Sequence, residues 1–222
     1  MDYLPKDPAI LVSSVNMLLR DEEFDTLEAL CYAFSRDPKE IKDYLFKRGF
    51  VWSEQQKQFR AMRRKRQQLS KEESISILQK STAGTLALLG DGGYPYAVPI
   101  SYVYADGKLY FHSALSGHKI DAIRNYDKAS FCVIDKDDVR PEKYTTYFRS
   151  VIAFGRIHII EDEQEKLETA RLLGDRYNPN QEEALQKELE HGFARMLMIR
   201  FDIEHLTGKE AIELVKQNRD ND

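Results

Sequence analysis

YPYAVPISYVYADGKLYFHSALSGHKIDAIRNY, residues 94–126, is the stretch that decides the fold of this chain. Two runs rich in aromatic and β-branched residues flank Asp106-Gly107, a dipeptide typical of the tight turn in a β-hairpin. A loop of small residues follows the second run, and apolar residues at helical spacing then predict a helix over 118–126. The segment therefore predicts two antiparallel strands, a loop and a helix in succession.

The start of that helix has the composition of an anion site. A helix N-terminus presents N–H groups without intrahelical partners and the positive end of the helix dipole. Gly117, His118 and Lys119 stand there, with Ser113 and Ser116 just before them. Charge-assisted hydrogen bonds of about 1.5–3 kcal/mol each make such a cluster suitable for a phosphate. The alternative is an ordinary surface lysine after a loop glycine.

The strands in front of the loop supply aromatic and β-branched side chains against which a flat ring could lie. A ring with a phosphate tail has the shape of flavin mononucleotide (FMN) or of a similar molecule. Pro99 cannot donate to a ladder, which predicts an edge or bulged position where backbone groups remain free.

Turn signals and alternating runs extend this pattern into a barrel. The capping-box pair Ser70 and Glu73 opens a helix before it, two helices fall within 167–189, and a polar helix ends the chain. Gly155 marks a bend or bulge in a long strand. We expect a mainly β, α+β fold built on a six-stranded antiparallel barrel. The strands are predicted at 84–89, 94–104, 109–113, 129–135, 145–160 and 195–203.

Residues 1–60 are expected to form a separate small helical domain with three helices and a hairpin. Asp25 or Thr26 caps the second helix, and Asp37 with Pro38 begins the third. Residues 61–69 are expected to be a basic linker and 70–222 the barrel domain. The run RAMRRKR, residues 60–66, is read as an exposed helix or linker rather than a phosphate grip.

Three helices and a hairpin also occur in winged helix-turn-helix proteins, which leaves a DNA-linked regulator as one alternative. The third helix mixes lysines with Glu40 and Asp43, however, and the net charge is −4. Nucleic acid is therefore not the expected partner.

Composition excludes several other classes of protein. No apolar run approaches the length of a membrane span, and the N-terminus lacks a secretory pattern, so the cytoplasm is the expected location. The two cysteines, Cys31 and Cys132, are expected to be free thiols, and no metal site is expected from ligand spacing.

Three motifs together carry a family resemblance that spans about two-thirds of the chain: AVPISYVYADGKLYFHSALSGHKID, ASFCVID and YTTYFRSVIAFGRIHII. The region from about Arg64 to Ile212 resembles the FMN-binding split-barrel family of pyridoxamine 5'-phosphate oxidase-like proteins, in the branch related to nitroimidazole-resistance reductases. The first 60 residues resemble a small bacterial domain of unknown function, which implies boundaries but no activity.

The resemblance implies where a flavin would bind. It places the FMN phosphate at Ser113, Ser116, Gly117, His118 and Lys119. It places the edge of the flavin ring along the strand formed by Val98, Pro99, Ile100, Ser101 and Tyr102.

The resemblance also gives roles to residues outside that loop and strand. It places His112 near the ring and the substrate, where a histidine could bind an oxygen or deliver a proton; a strand histidine without a role is the alternative. Arg149 and Ser150 match a family pattern, implying flavin contact across a dimer interface. A structural salt bridge of Arg149 remains the alternative.

The implied function is an FMN-dependent reductase working as a homodimer, with the flavin site between subunits. NAD(P)H would donate electrons, and a nitroaromatic or other small conjugated compound would accept them. The only tryptophan, Trp52, lies outside the barrel region, so the tryptophan-containing substrate motif of true pyridoxamine-phosphate oxidases is missing. A non-catalytic binder of flavin or haem is the alternative function.

Overall fold

The computed structural model describes residues 4–61 and 65–220. The chain forms two compact units, residues 1–65 and 66–222. Each unit buries a hydrophobic core of its own. None of the helices in the described ranges is long and apolar enough to span a bilayer.

The described residues of the first unit form three helices and a two-stranded antiparallel hairpin. Thr26 rather than Asp25 caps the second helix, and Asp37 caps the third as predicted. Cys31 is a fully buried free thiol, and burial raises its pKa to about 11. The elements are α1 (Pro8–Arg20), α2 (Leu27–Ala33), α3 (Pro38–Phe46), β1 (Phe50–Ser53) and β2 (Gln58–Ala61).

The charges on α3 are in part already neutralised. The ammonium of Lys42 lies 3.4 Å from the Glu28 carboxylate and 5.8 Å from the centre of the Trp52 ring. Of the basic run, Arg60 lies in β2, whereas residues 62–64 fall outside the described residues. The linker over 61–69 and the DNA-linked alternative therefore stay predictions.

The second unit is built on one antiparallel sheet with the strand order β4-β3-β7-β8-β9-β6-β5. Its helices are α4 (Lys71–Lys80), α5 (His118–Asn125), α6 (Glu163–Tyr177), α7 (Glu182–Gly192) and α8 (Ile212–Asp220). Its strands are β3 (Ala83–Leu89), β4 (Pro95–Ser101), β5 (Val103–Ala105), β6 (Lys108–Ala114), β7 (Lys128–Arg140), β8 (Thr145–Ile159) and β9 (Met196–Glu210). Short 3₁₀ helices occupy Lys65–Gln67, Asp91–Gly93, Pro141–Lys143 and Phe193–Arg195.

The α+β class with an antiparallel sheet is confirmed, but the sheet has seven strands instead of six. The strand predicted over 94–104 is interrupted at Tyr102, which separates β4 from β5. These two strands are the opposite edges of the sheet, and a single residue joins them. The sheet therefore curls until its edges meet, which is the geometry of a split barrel.

Tyr102, the residue between β4 and β5, is held in place by contacts of both its ring and its backbone. The ring is fully buried and packs edge-on against Phe131 with 4.8 Å between centroids, while its hydroxyl donates to the Leu78 carbonyl at 2.8 Å. The Tyr102 N–H donates to the Tyr177 hydroxyl at 3.1 Å. That hydroxyl also reaches the carbonyls of Tyr102 and Thr82, and since it has one proton it can donate to only one of them at a time.

Gly155 marks a bulge, as predicted, because the register between β8 and β9 shifts between Phe154 and Gly155. The strands approach so closely here that a Cβ atom on Gly155 would lie 1.9 Å from the Asp202 carbonyl oxygen. No side chain fits without a movement of the backbone.

We expect Tyr177→Phe to lower the free energy of unfolding by about 1–3 kcal/mol, because the variant leaves the Tyr102 N–H without its partner. Urea denaturation followed by circular dichroism measures this. Tyr144→Phe is the matched control, since the Tyr144 side chain is almost wholly exposed. Equal losses in the two variants would show that the Tyr177 hydroxyl does not hold the junction.

Candidate functional site

The start of α5 presents backbone hydrogen-bond donors next to a lysine. Gly117 is the N-cap of α5 with φ +129°, a conformation that favours glycine. The Gly117 carbonyl accepts the N–H groups of Ile120 and Asp121 at 2.8 and 3.1 Å. The N–H groups of His118 and Lys119, in the first turn, have no intrahelical acceptor. They remain available to an anion.

Lys119 is a half-buried cation. Desolvation lowers the pKa of its ammonium, because burial disfavours the charged form. Within residues 4–61 and 65–220 it makes no ion pair with a carboxylate. A partly desolvated cation without a counter-charge is stabilised by a bound anion. The side chain and the two free amides therefore fit a phosphate.

The His118 side chain turns away from this role. Its ring stacks on Tyr96 with 4.3 Å between centroids and 16° between planes, and its Nε2 lies 3.7 Å from a carboxylate oxygen of Asp91. The contribution of His118 to the loop is thus its backbone N–H. Ser116 is exposed and Ser113 is half-buried in β6, so both hydroxyls are accessible near the loop.

Strand β4 lies at an edge of the sheet, where the missing N–H of Pro99 predicted it. Val98 and Ile100 pack against the barrel core, whereas Pro99 and Ser101 are exposed. The ring of Tyr102 belongs to the core, and both its N–H and its carbonyl contact the Tyr177 hydroxyl, so its predicted contact with a flavin stays a prediction. Tyr102 closes the barrel, and its N–H is already used within the fold.

His112 is exposed on β6, opposite Met198 of β9, and it borders a cavity of about 530 Å³. The cavity lies between the β6–β9 surface and the helices α6 and α7. Leucines of both helices form one wall, while Ser101, His112 and Arg195 contribute polar atoms. The structure thus brings Ser101 and His112 to one space.

Arg149 is an ion-paired residue rather than a free cation. Its guanidinium donates two hydrogen bonds to one Glu210 oxygen, at 2.7 and 3.0 Å, and lies 3.6 Å from Asp135. Asp135 also pairs with Lys80 at 2.9 Å. This is the salt-bridge alternative that the sequence left open. Ser150 is half-buried beside Arg149, opposite Ile134 of β7 and Lys209 of β9.

Several features of the site depend on contacts that sequence patterns do not encode. Tyr177 and Arg195 could not be placed, because their roles depend on how α6 and α7 return to the barrel. The methionines Met196 and Met198 looked like ordinary strand residues, although both line the cavity. Leucines at helical spacing in α6 and α7 were visible, but their spacing alone does not separate a packed core from a cavity wall.

A family model described as pyridoxamine 5'-phosphate oxidase matches residues 70–210, well over half of the chain. The chain therefore belongs to the pyridoxamine 5'-phosphate oxidase family. Residues 5–59 match a second family described as a domain of unknown function (DUF4250). Both matches agree with the resemblance in the sequence.

Solved structures share the barrel fold at low sequence identity. A proposed 5-nitroimidazole antibiotic resistance protein from Bacteroides thetaiotaomicron has 21% identity and a TM-score of 0.53, covering 64% of this chain and 86% of that one. The FAD and haem binding protein from Mycobacterium smegmatis has 24% identity and a TM-score of 0.56, covering 65% and 73%. The flavocytochrome Anf3 from Azotobacter vinelandii has 22% identity and a TM-score of 0.53, covering 64% and 67%. No curated protein matches the sequence.

Proposed function

We propose that this protein is a cytoplasmic FMN-dependent oxidoreductase. It would take electrons from NADH or NADPH and pass them to a nitroaromatic or another small conjugated compound. The observation that carries the proposal is Lys119, a desolvated cation without a carboxylate partner in the described residues, at the glycine-capped start of α5. In a chain of the pyridoxamine 5'-phosphate oxidase family, a phosphate-bearing flavin is the ligand that this arrangement favours.

Different residues would bind the phosphate and the ring of the flavin. Lys119 and the amides of His118 and Lys119 would hold the phosphate, with Ser113 and Ser116 within the same loop region. The exposed edge of β4 from Val98 to Ser101 would lie along the flavin ring. The bound flavin would supply the electron transfer, while the protein supplies position and electrostatics.

His112 would act on the acceptor. It is exposed at the mouth of the cavity, so its imidazole can reach a small molecule that enters there. An imidazole can donate a hydrogen bond or a proton to an oxygen that gains negative charge on reduction. Arg149 would have a supporting role, because Glu210 and Asp135 already neutralise it.

A non-catalytic binder of flavin or haem is the second candidate. Two structural neighbours are named as a FAD and haem binding protein and as a flavocytochrome, so haem is a second candidate ligand. Such a binder would hold its chromophore but would not exchange electrons with a nicotinamide.

We also propose a homodimer with the flavin site near the subunit interface. The outer face of the sheet carries Ile134, Ile152 and Phe154, which are exposed by 67%, 37% and 45%. Strands β7 and β8 are adjacent, and Cys132 of β7 lies opposite Ile152 of β8. A contiguous apolar patch of this kind is costly in water, and a second copy of the chain would cover it.

The phosphate site is tested by comparing FMN with riboflavin, which has the same ring but no phosphate. We expect Lys119→Gln to weaken FMN binding by about 10- to 100-fold and to leave riboflavin unchanged, since one charge-assisted contact is lost. Fluorescence quenching of the flavins measures both affinities. Lys71→Gln, at an exposed lysine of α4, is the control.

The same site predicts a pH dependence. Only the protonated ammonium attracts the phosphate, so the ratio of FMN to riboflavin affinity falls as the pH rises through the lowered pKa of Lys119. The decline therefore begins at a lower pH than for a solvated lysine, and it is absent in Lys119→Gln. A ratio independent of pH in the native protein would remove Lys119 from the site.

The activity is tested by visible absorbance of the FMN-loaded protein under anaerobic addition of NADH or NADPH. We expect the flavin absorbance to bleach and to return when a nitroaromatic acceptor is added. His112→Asn should leave the bleaching intact and slow the return by about 100-fold or more, because general acid catalysis typically contributes that much. His191→Asn, at a histidine outside the cavity, is the control. An unbleached flavin or a haem band would favour the non-catalytic binder.

The dimer is tested by light scattering after size-exclusion chromatography. We expect a dimeric mass for the native chain and a monomeric mass for Ile152→Lys, since a charge would then have to be buried in the interface. Tyr144→Lys places the same charge at a side chain exposed by 98% and should stay dimeric. A native monomer at micromolar concentration would contradict the proposal.

A further inference from the structure

The cavity between the helical pair α6–α7 and the strands β6 and β9 is not needed to hold a phosphate or the edge of a ring. Its volume of about 530 Å³ lies in the range of pockets that enclose small organic ligands. At the packing density of protein interiors it would take a molecule of about 20 non-hydrogen atoms. A small nitroheterocycle would fill only part of it.

The wall of the cavity is chemically divided. Its helix side carries the side chains of Leu173, Leu185 and Leu189, and its strand side carries Met198. Methionine and leucine side chains form an adaptable apolar surface without hydrogen-bond demands. These four side chains fit an apolar body, while Tyr177, Asn178 and Glu188 also border the cavity on the helix side.

Three polar residues of the lining, Ser101, His112 and Arg195, lie in strands of the sheet or directly before one. His112 pairs with Met198, and two residues further on Ala114 pairs with Met196, the neighbour of Arg195. Ser101 ends β4 one residue before the junction at Tyr102, and it borders the same cavity. Ser101, His112 and Arg195 therefore form an exposed polar set at the border of one cavity.

Arg195 is the cation among these three polar residues. Its guanidinium donates to the His191 carbonyl at 2.9 Å, and it has no carboxylate partner within the described residues. Glu188 also borders the cavity, but it lies in α7, whereas Arg195 ends the 3₁₀ helix that follows, and the two side chains form no ion pair. The cation is thus free to meet an anionic group on the ligand.

We propose that this cavity binds the electron acceptor, and that the acceptor is an amphipathic molecule with an apolar body and one anionic, oxygen-bearing head. The head lies at Arg195, Ser101 and His112, and the body lies between α6 and α7. The acceptor's reduction rests on the proposed flavin chemistry, whereas its binding does not.

The test compares 4'-nitrobiphenyl-4-carboxylate with its methyl ester, which keeps the body and removes the charge. Calorimetric titration of the FMN-loaded protein gives both affinities without turnover, and reoxidation of the reduced flavin gives kcat and KM. We expect the acid to bind at least tenfold more tightly than the ester. Arg195→Gln should abolish this preference, raise KM for the acid about tenfold or more, and leave the ester unchanged.

One further variant and two controls separate binding of the apolar body from binding of the anionic head. Leu185→Trp fills the apolar end and should weaken both probes at least tenfold. Leu172→Trp adds the same bulk to an α6 residue that does not line the cavity, and Arg171→Gln removes a guanidinium of α6 that bonds to Gln186 instead. Both controls should bind the probes like the native protein.

The outcomes distinguish this inference from the proposed function. Binding that follows this pattern without any nicotinamide-driven bleaching would support the cavity and refute the reductase. Bleaching with no difference between acid and ester, or with Leu185→Trp as effective a binder as Leu172→Trp, would refute the cavity's role and leave the reductase standing.

Discussion

The hydroxyl of Tyr177 is the contact on which the geometry of the barrel depends. It accepts the N–H of Tyr102 at the single residue that joins the two edges of the sheet, and it reaches the carbonyls of Tyr102 and Thr82. Because Tyr177 is the last residue of α6, the same contact fixes where that helix ends. Closure of the sheet and placement of one cavity wall are therefore one constraint.

Two basic residues of the barrel domain show how surroundings decide what a cation can do. Arg149 meets Glu210 and Asp135, so its charge is used within the fold. Lys119 is desolvated and meets no carboxylate in the described part of the chain, so its charge is available. Sequence patterns placed both at a ligand, and only the distribution of nearby carboxylates separates them.

The sequence predicted most of the fold because its signals are local. The turn dipeptide Asp106-Gly107, the capping pair of Ser70 and Glu73, and the bulge glycine Gly155 each act within a few residues, and all appear where expected. The break at Tyr102 was missed, because alternation of apolar residues continues across it. What interrupts the strand is a hydroxyl 75 residues away, and no local pattern encodes such a contact.

Only the part of the site that lies within one short segment could be predicted, because sequence signals are local. The loop from Ser116 to Lys119 is one continuous segment, so its glycine, amides and lysine can be assigned from spacing. The cavity is lined by residues of β4, β6, β9 and two helices. The Arg195 guanidinium, which pairs with no carboxylate in the described residues, can be recognised as a binding group only when those elements come together. Which distant elements meet, and whether a carboxylate lies near a cation, are decided only when the chain folds.

The close approach at Gly155 also limits how the family can diverge. A Cβ atom there would lie 1.9 Å from the Asp202 carbonyl, so any sequence that keeps this register between β8 and β9 must keep glycine, whatever ligand it binds. Three residues that border the cavity, Ser101, His112 and Arg195, are exposed, so a different side chain meets no such backbone clash there. Glycine at this one position is thus required by the backbone itself, whereas the exposed residues of the cavity border can change without altering how β8 and β9 pair.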